Sequence, residues 1–234
     1  MKHYFTLLAL LFLLTSCGGD PSENSMLLTG EVKGLKKGSI YLQKVTDTAY
    51  VTLDSMVVDG SALFSFSEEI TVPEVFYLTL TFQDSSNVIK RLPFFAEPGN
   101  VTLNTTLKNY ERDAQITGSI NQEKLDQYKV LMKRYNDKNL DLIKKGLDAM
   151  KEGNDSLMRA NNAQQDKLLK NRYLASVNFA VNNGAYEVAP YITLNEIFDV
   201  NTKYLDTIYT SLTPKIKDSK YGKALESFIM ERKN

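Results

Sequence analysis

The stretch YVTLDSMVVDGSALFSF, residues 50–66, holds two runs of strand-forming residues around Asp59-Gly60. β-Branched and aromatic side chains fit a pleated, half-buried surface, and residues 50–58 are dense in them. After the pair, Ala62, Phe64 and Phe66 alternate with Ser61, Leu63 and Ser65, so one face is apolar and aromatic. Asp-Gly between two such runs signals a two-residue hairpin, because a type I′ turn needs positive φ at both central positions. The stretch predicts an antiparallel strand pair with one side turned to a core.

Working outward, the same texture covers residues 26–119. Runs at 27–32, 39–45, 75–82, 88–96, 101–107 and 113–117 are separated by Gly34, the Lys36-Lys37-Gly38 turn, Pro73, the polar loop 83–87 and Pro98-Gly99-Asn100. Ile40 and Leu42 share a face, and Pro93 suggests a sheet edge, since proline cannot donate to a ladder. About eight short strands with no helical period between them predict an antiparallel β-sandwich. Aromatic residues at alternating positions are read as core, not as a ligand platform.

From residue 120 the period changes. Ser119 is placed as an N-cap, and Leu125, Tyr128, Met132 and Tyr135 recur at helical spacing. Leu140, Ile143, Leu147 and Met150 continue the buried stripe after a drift. Gly153-Asn154-Asp155 breaks the helix, and Asp155 or Ser156 caps a second one, which Asn182-Asn183-Gly184 stops. Its stripe is Leu157, Ala160, Leu168, Tyr173, Val177 and Val181. The pair forms a long helical hairpin that packs on the sandwich or projects from it. Shorter helices are expected near 192–198, 203–212 and 221–232. The fold class is therefore α+β, a sandwich domain at 26–119 followed by a helical domain at 120–234.

The chain begins with Lys2 and His3, an apolar run at 6–14, and small residues before Cys17. That is the layout of a secretory signal peptide, and the run is too short to span a ~30 Å hydrocarbon layer. Leu14-Thr15-Ser16-Cys17 resembles a bacterial lipobox. The resemblance implies cleavage after residue 16 and acylation of Cys17, with diacylation on its sulfur, so Cys17 is the candidate lipid-attachment residue. Two or more acyl chains anchor stably where one does not. Residues 17–25 then read as a flexible tether.

Composition narrows the chemistry. Lys+Arg and Asp+Glu both total 28, and no basic stretch marks a nucleic-acid partner. His3 and Cys17 are the only residues of their types, and neither would remain as a free side chain after processing. That argues against Ser-His-Asp and Cys-His nucleophiles, thiol redox chemistry and the usual zinc sites. Asp137-x-Asn139-x-Asp141 mimics the start of a calcium loop but lacks its glycine and sits in a helical pattern, so no metal or cofactor is expected. Asp54-Ser55 is assigned to a local backbone hydrogen bond.

Residues 26–121 resemble domain of unknown function 4369, the N-terminal region of Bacteroidota thioredoxin-like lipoproteins. The resemblance rests on Gly30, Gly34-Leu35, Ile40-Tyr41-Leu42 and Leu53-Asp54-Ser55. Phe64-x-Phe66, Glu97-Pro98-Gly99 and Ile116-Thr117-Gly118-Ser119 with Asn121 extend it. Tyr209-x-Ser211-Leu212 and Ser219-Lys220-Tyr221-Gly222-Lys223 carry it into the helical half. In longer relatives a disulfide-reductase domain follows; this sequence holds no Cys-x-x-Cys, so that activity is not carried over. The expectation is a non-enzymatic, lipid-anchored envelope protein, placed at the outer membrane and acting as a binding or protein-interaction module. The alternatives are an accessory subunit of an outer-membrane nutrient-uptake complex and the non-redox half of a split thiol-disulfide oxidoreductase.

Overall fold

The computed structural model describes residues 24–46, 48–82 and 88–233. The expected leader (1–16), Cys17 and the tether up to residue 23 lie outside the described residues.

Among the described residues, eight strands build two four-stranded sheets. They are β1 (Ser25–Lys33), β2 (Lys37–Thr46), β3 (Ala49–Asp59), β4 (Leu63–Glu69), β5 (Glu74–Thr81), β6 (Ile89–Ala96), β7 (Gly99–Thr106) and β8 (Gln115–Thr117). One sheet has the order β4-β1-β7-β8 and the other β3-β2-β5-β6. Alternation puts Leu28, Phe64, Phe66, Val101 and Leu103 from the first sheet against Ile40, Leu42, Leu78, Leu80 and Phe94 from the second, all in one buried core. The aromatic positions read as core are core.

The Asp59-Gly60 turn is not a hairpin. β3 pairs with β2, from Lys37 opposite Asp59 to Thr46 opposite Ala49, whereas β4 pairs with β1. Gly60 does take a positive φ of 94°, and its N–H donates to the Lys36 carbonyl at 2.8 Å. The local conformation that the dipeptide favours is thus used at a sandwich corner, where the chain leaves one sheet for the other. Phe64 and Phe66 then fill the shared core from the opposite layer. One pairing, β1 with β7, is parallel, from Met26 opposite Gly99 to Lys33 opposite Thr106; the other pairings are antiparallel. β6 lies at a sheet edge, as Pro93 suggests.

Among the described residues six helices follow: α1 (Ile120–Lys151), α2 (Asp155–Asn182), α3 (Val188–Glu196), α4 (Thr202–Ser211), α5 (Pro214–Lys217) and α6 (Lys220–Lys233). Ser119 caps α1 as expected, its hydroxyl accepting from the Gln122 N–H at 3.0 Å. The cap of α2 is Asn154, whose side chain accepts from the Leu157 N–H, and not Asp155 or Ser156. α3 starts before Pro190, which sits in the first turn, where a missing N–H costs nothing.

A buried polar network joins the halves. Between β6 and β7, the Glu97 carboxylate accepts from the backbone N–H groups of Ile120 (3.0 Å) and Asn121 (2.7 Å) and from the Asn121 side-chain amide. A negative group at a helix N-terminus satisfies orphan donors and complements the helix dipole. Asn121 in turn accepts from the Val188 N–H at 2.9 Å, tying α1 to α3. Gln122 accepts from the Phe95 N–H at 3.0 Å, covering part of the β6 edge. The Tyr221 hydroxyl accepts from the Val75 N–H at 3.0 Å, and Lys220 pairs with Glu74. Gly222 is required by close approach: a Cβ there would stand 1.9 Å from the Ile216 carbonyl oxygen.

Around these bonds Val75 and Phe95 of the sheet pack with Tyr128, Met132, Val188 and Ile192. Phe95, Tyr191 and Tyr221 meet edge to face, with ring centroids 5.2 to 6.4 Å apart. Burial pushes the Tyr191 phenol up to about 12 and Tyr221 higher still. Glu97, Asn121 and Tyr221, three of the residues singled out in the sequence, are therefore joint residues.

Candidate functional site: an arm and an apolar groove

The hairpin both packs and projects. Its base, through Tyr128 and Met132 on α1 and Ser176, Val177 and Ala180 on α2, is buried. Beyond it, across residues 136–171, the buried side chains reduce to Leu142, Ala149, Asn161 and Leu168. This single seam holds two helices that run about 24 Å past the base, at 1.5 Å per residue.

Leu140, Ile143, Leu147 and Met150, expected to continue the buried stripe, are exposed by 64, 43, 49 and 58%. The seam uses the adjacent positions Leu142 and Ala149, about 100° further round the helix. Leu157 and Ala160 of the expected α2 stripe are likewise exposed, while Leu168 and Val177 are buried and Tyr173 and Val181 half-buried. A hairpin that faces one partner helix needs only a narrow stripe, so apolar residues on the next face are left uncovered.

Beside the seam lies a groove of 370 Å³ lined by Tyr135, Asn139, Ile143, Leu169 and Arg172, among others. It shares Asp166 and Leu169 with a second groove of 330 Å³. The second has an apolar floor of Leu169, Tyr173, Leu174, Val177, Val200 and Tyr204, with Asp166 and Lys170 at its rim. Its far wall is held firmly. The Tyr173 hydroxyl donates to Asp199 at 2.7 Å, and this bond, aided by burial, raises the phenol's pKa. Arg232 donates to the carbonyls of Phe198 and Val200, and Asn201 caps α4. The adjacent pairs Leu168-Leu169 and Tyr173-Leu174, too wide for one seam, were the sequence signal for this surface.

Other expected sites resolve simply. Cys17 and the rest of Leu14-Thr15-Ser16-Cys17 lie outside the described residues. The Asp54 carboxylate accepts from the Ser55 N–H at 2.7 Å, a local bond within β3. Asn139 stands on the opposite side of α1 from Asp137 and Asp141, and Asp137 engages Lys133. Among the described residues, no three His, Cys, Asp or Glu side chains are grouped as a metal site would require. No helix of the described residues is long and apolar enough to cross a membrane.

Comparison with known families places the sandwich. Residues 26–125 match the family described as "Domain of unknown function (DUF4369)". This segment is a DUF4369 domain. It spans both sheets and ends inside α1, so it includes Glu97, Ser119, Asn121 and Gln122 of the joint. The arm and the second groove lie beyond the DUF4369 match. No curated protein matches the chain. Among solved structures the chain is similar to one titled "pT26-6p", at 10% identity over 85% of this chain and 42% of that one. The chain thus spans less than half of that structure's length. The TM-score of 0.23 gives this likeness no weight for fold or function.

Proposed function

We propose that this protein is a lipid-anchored lipoprotein of the cell envelope, held at the outer membrane through Cys17, that binds a protein partner and carries out no catalysis. The observation that carries the binding role is the uncovered apolar surface of the helical half. Leu169, Tyr173, Leu174 and Tyr204 form a preformed concave floor over the buried Val177 and Val200. Preformed apolar surfaces with a charged rim suit protein partners, because little ordering is needed on binding. The anchor rests on Leu14-Thr15-Ser16-Cys17. The non-catalytic reading rests on His3 and Cys17 being the only residues of their types. An accessory role in an outer-membrane uptake complex is the narrower form of this reading, favoured by an arm that extends from the body.

The test uses the full chain expressed with its leader. Mass spectrometry of the mature N-terminus is expected to find Cys17 acylated; an unmodified Cys17 removes the anchor. Cross-linking in intact cells should then recover a defined envelope protein with the wild-type chain and lose it with Tyr204→Asp, a change at an exposed groove residue. Recovery unchanged by Tyr204→Asp would take the groove out of the reading, and thiol-reductase activity of the purified chain would overturn the non-catalytic assignment.

A further inference from the structure

Leu140, Ile143, Leu147 and Met150 follow each other at spacings of three, four and three, the a/d rhythm of a coiled-coil seam. They stand on the outer part of the arm, and each is exposed. The inner seam with α2 runs on a neighbouring face, so this second stripe is available to another helix without opening the hairpin. The structure assigns this stripe to a second copy of the same chain, in an antiparallel pairing of the two α1 helices.

The spacing is its own mirror image. A two-fold axis across the helices places Leu140 against Met150 of the second copy and Ile143 against Leu147, twice over. Closed two-fold dimers are the commonest assembly of a single chain, and they require such self-complementarity. The charges agree with it. With the stripe as a and d positions, Asp137, Lys144 and Lys151 are the e positions on the flank away from α2. In an antiparallel pair the e positions face each other, so Asp137 meets Lys151 of the second copy at both ends. Lys144 meets its own copy in the middle. Two opposite-charge pairs thus stand against one like-charge pair, whose long side chains can part.

A parallel pairing would set the e positions against the g positions, where Asn139 and Gly146 offer Lys144 and Lys151 no charge partner, so the flank favours the antiparallel arrangement. Asp137 already engages Lys133 at 2.6 Å, but both groups are exposed there. Such a surface pair contributes little and can exchange partners. Leu169, which lines the same groove as Ile143, widens the apolar face on the α2 side. This inference is independent of the proposed anchor and envelope partner, since pairing of α1 with α1 needs neither.

The test measures the mass of the purified full chain in detergent by sedimentation, with the helical signal in circular dichroism as a check on folding. The wild type is expected to be a dimer at micromolar concentration. Ile143→Asp with Leu147→Asp should halve the mass without loss of helix. Asp137→Lys should weaken the dimer at least tenfold, and Asp137→Lys with Lys151→Asp should restore it. A monomeric wild type overturns the proposal. So does a dimer that survives Ile143→Asp with Leu147→Asp, or a charge swap that fails to restore what the single change removed.

Discussion

The base and the tip of the hairpin are made from the same two helices and have opposite surroundings. At the base, Tyr128 and Met132 on α1 meet Val75 and Phe95 of the sheet and Val188 and Ile192 of α3. At the tip, Leu140, Ile143, Leu147 and Met150 have the same three-and-four spacing and remain exposed. The N-terminus of α1 is met by a buried carboxylate from another segment, Glu97, whereas that of α2 has local groups, the cap Asn154 and Asp155 of its first turn. Periodicity tells a helix which face is apolar. It does not supply something to cover that face.

The contrast can be broken most severely at the base. Phe95 is fully buried and touches the rings of Tyr191 and Tyr221. Phe95→Ala is expected to cost about 3–5 kcal/mol of global stability in urea unfolding, as large-to-small core changes do. A loss below about 1 kcal/mol would mean that the sandwich and the helices are not packed as one body.

A smaller effect at the base depends on pH. Glu187 is 2% exposed, and its burial raises its pKa from 4.5 to about 7, against the opposing influences of Ser219 and Lys215. Its carboxyl lies 2.7 Å from the Ser219 hydroxyl, which is equally near the Ile216 carbonyl. One hydroxyl proton cannot serve both; a protonated Glu187 donating to Ser219 satisfies all three groups. The unfolded chain ionises first, so this contribution is full below about pH 4.5 and is lost as pH rises through 7. Its size is on the order of 2 kcal/mol once solvent screening and Lys215 are allowed for. Glu187→Gln keeps a donor and should flatten the stability profile between pH 5 and 8, measured by urea midpoints. A wild-type profile that rises across this window would contradict the assignment.

The smallest effect belongs to the tip. Asn154→Ala removes a cap generally worth about 1 kcal/mol, yet the tip can open without the rest of the fold. The expected outcome is faster hydrogen exchange at residues 155–159 with little change in the global urea midpoint. A midpoint shift as large as that of a core substitution would show that tip and base unfold together.

The strands and the two long helices were legible because each is written in a local period. Ala62, Phe64 and Phe66 lie on one buried face, as do Ile40 and Leu42, and Ser119 caps the helix it precedes. The joint was legible only as unexplained polar residues: Glu97, Asn121 and Tyr221 have partners 23 to 146 positions away, beyond any local pattern. The groove was hidden for the same reason, since it brings Tyr173 of α2 beside Val200 of the α3–α4 connection.

Asp59-Gly60 marks the division. Short-range sterics alone made that dipeptide a sharp turn with a left-handed glycine, and alternation alone made the flanking residues strands with one apolar side. Where the second strand went was decided by the folded whole. β1 and β7 supply a sheet for Phe64 and Phe66 to join while facing β2 and β5 across the core, so the turn became a corner between layers. Backbone conformation is set by neighbours in the chain, whereas pairing and coverage are set by which apolar faces find each other in space.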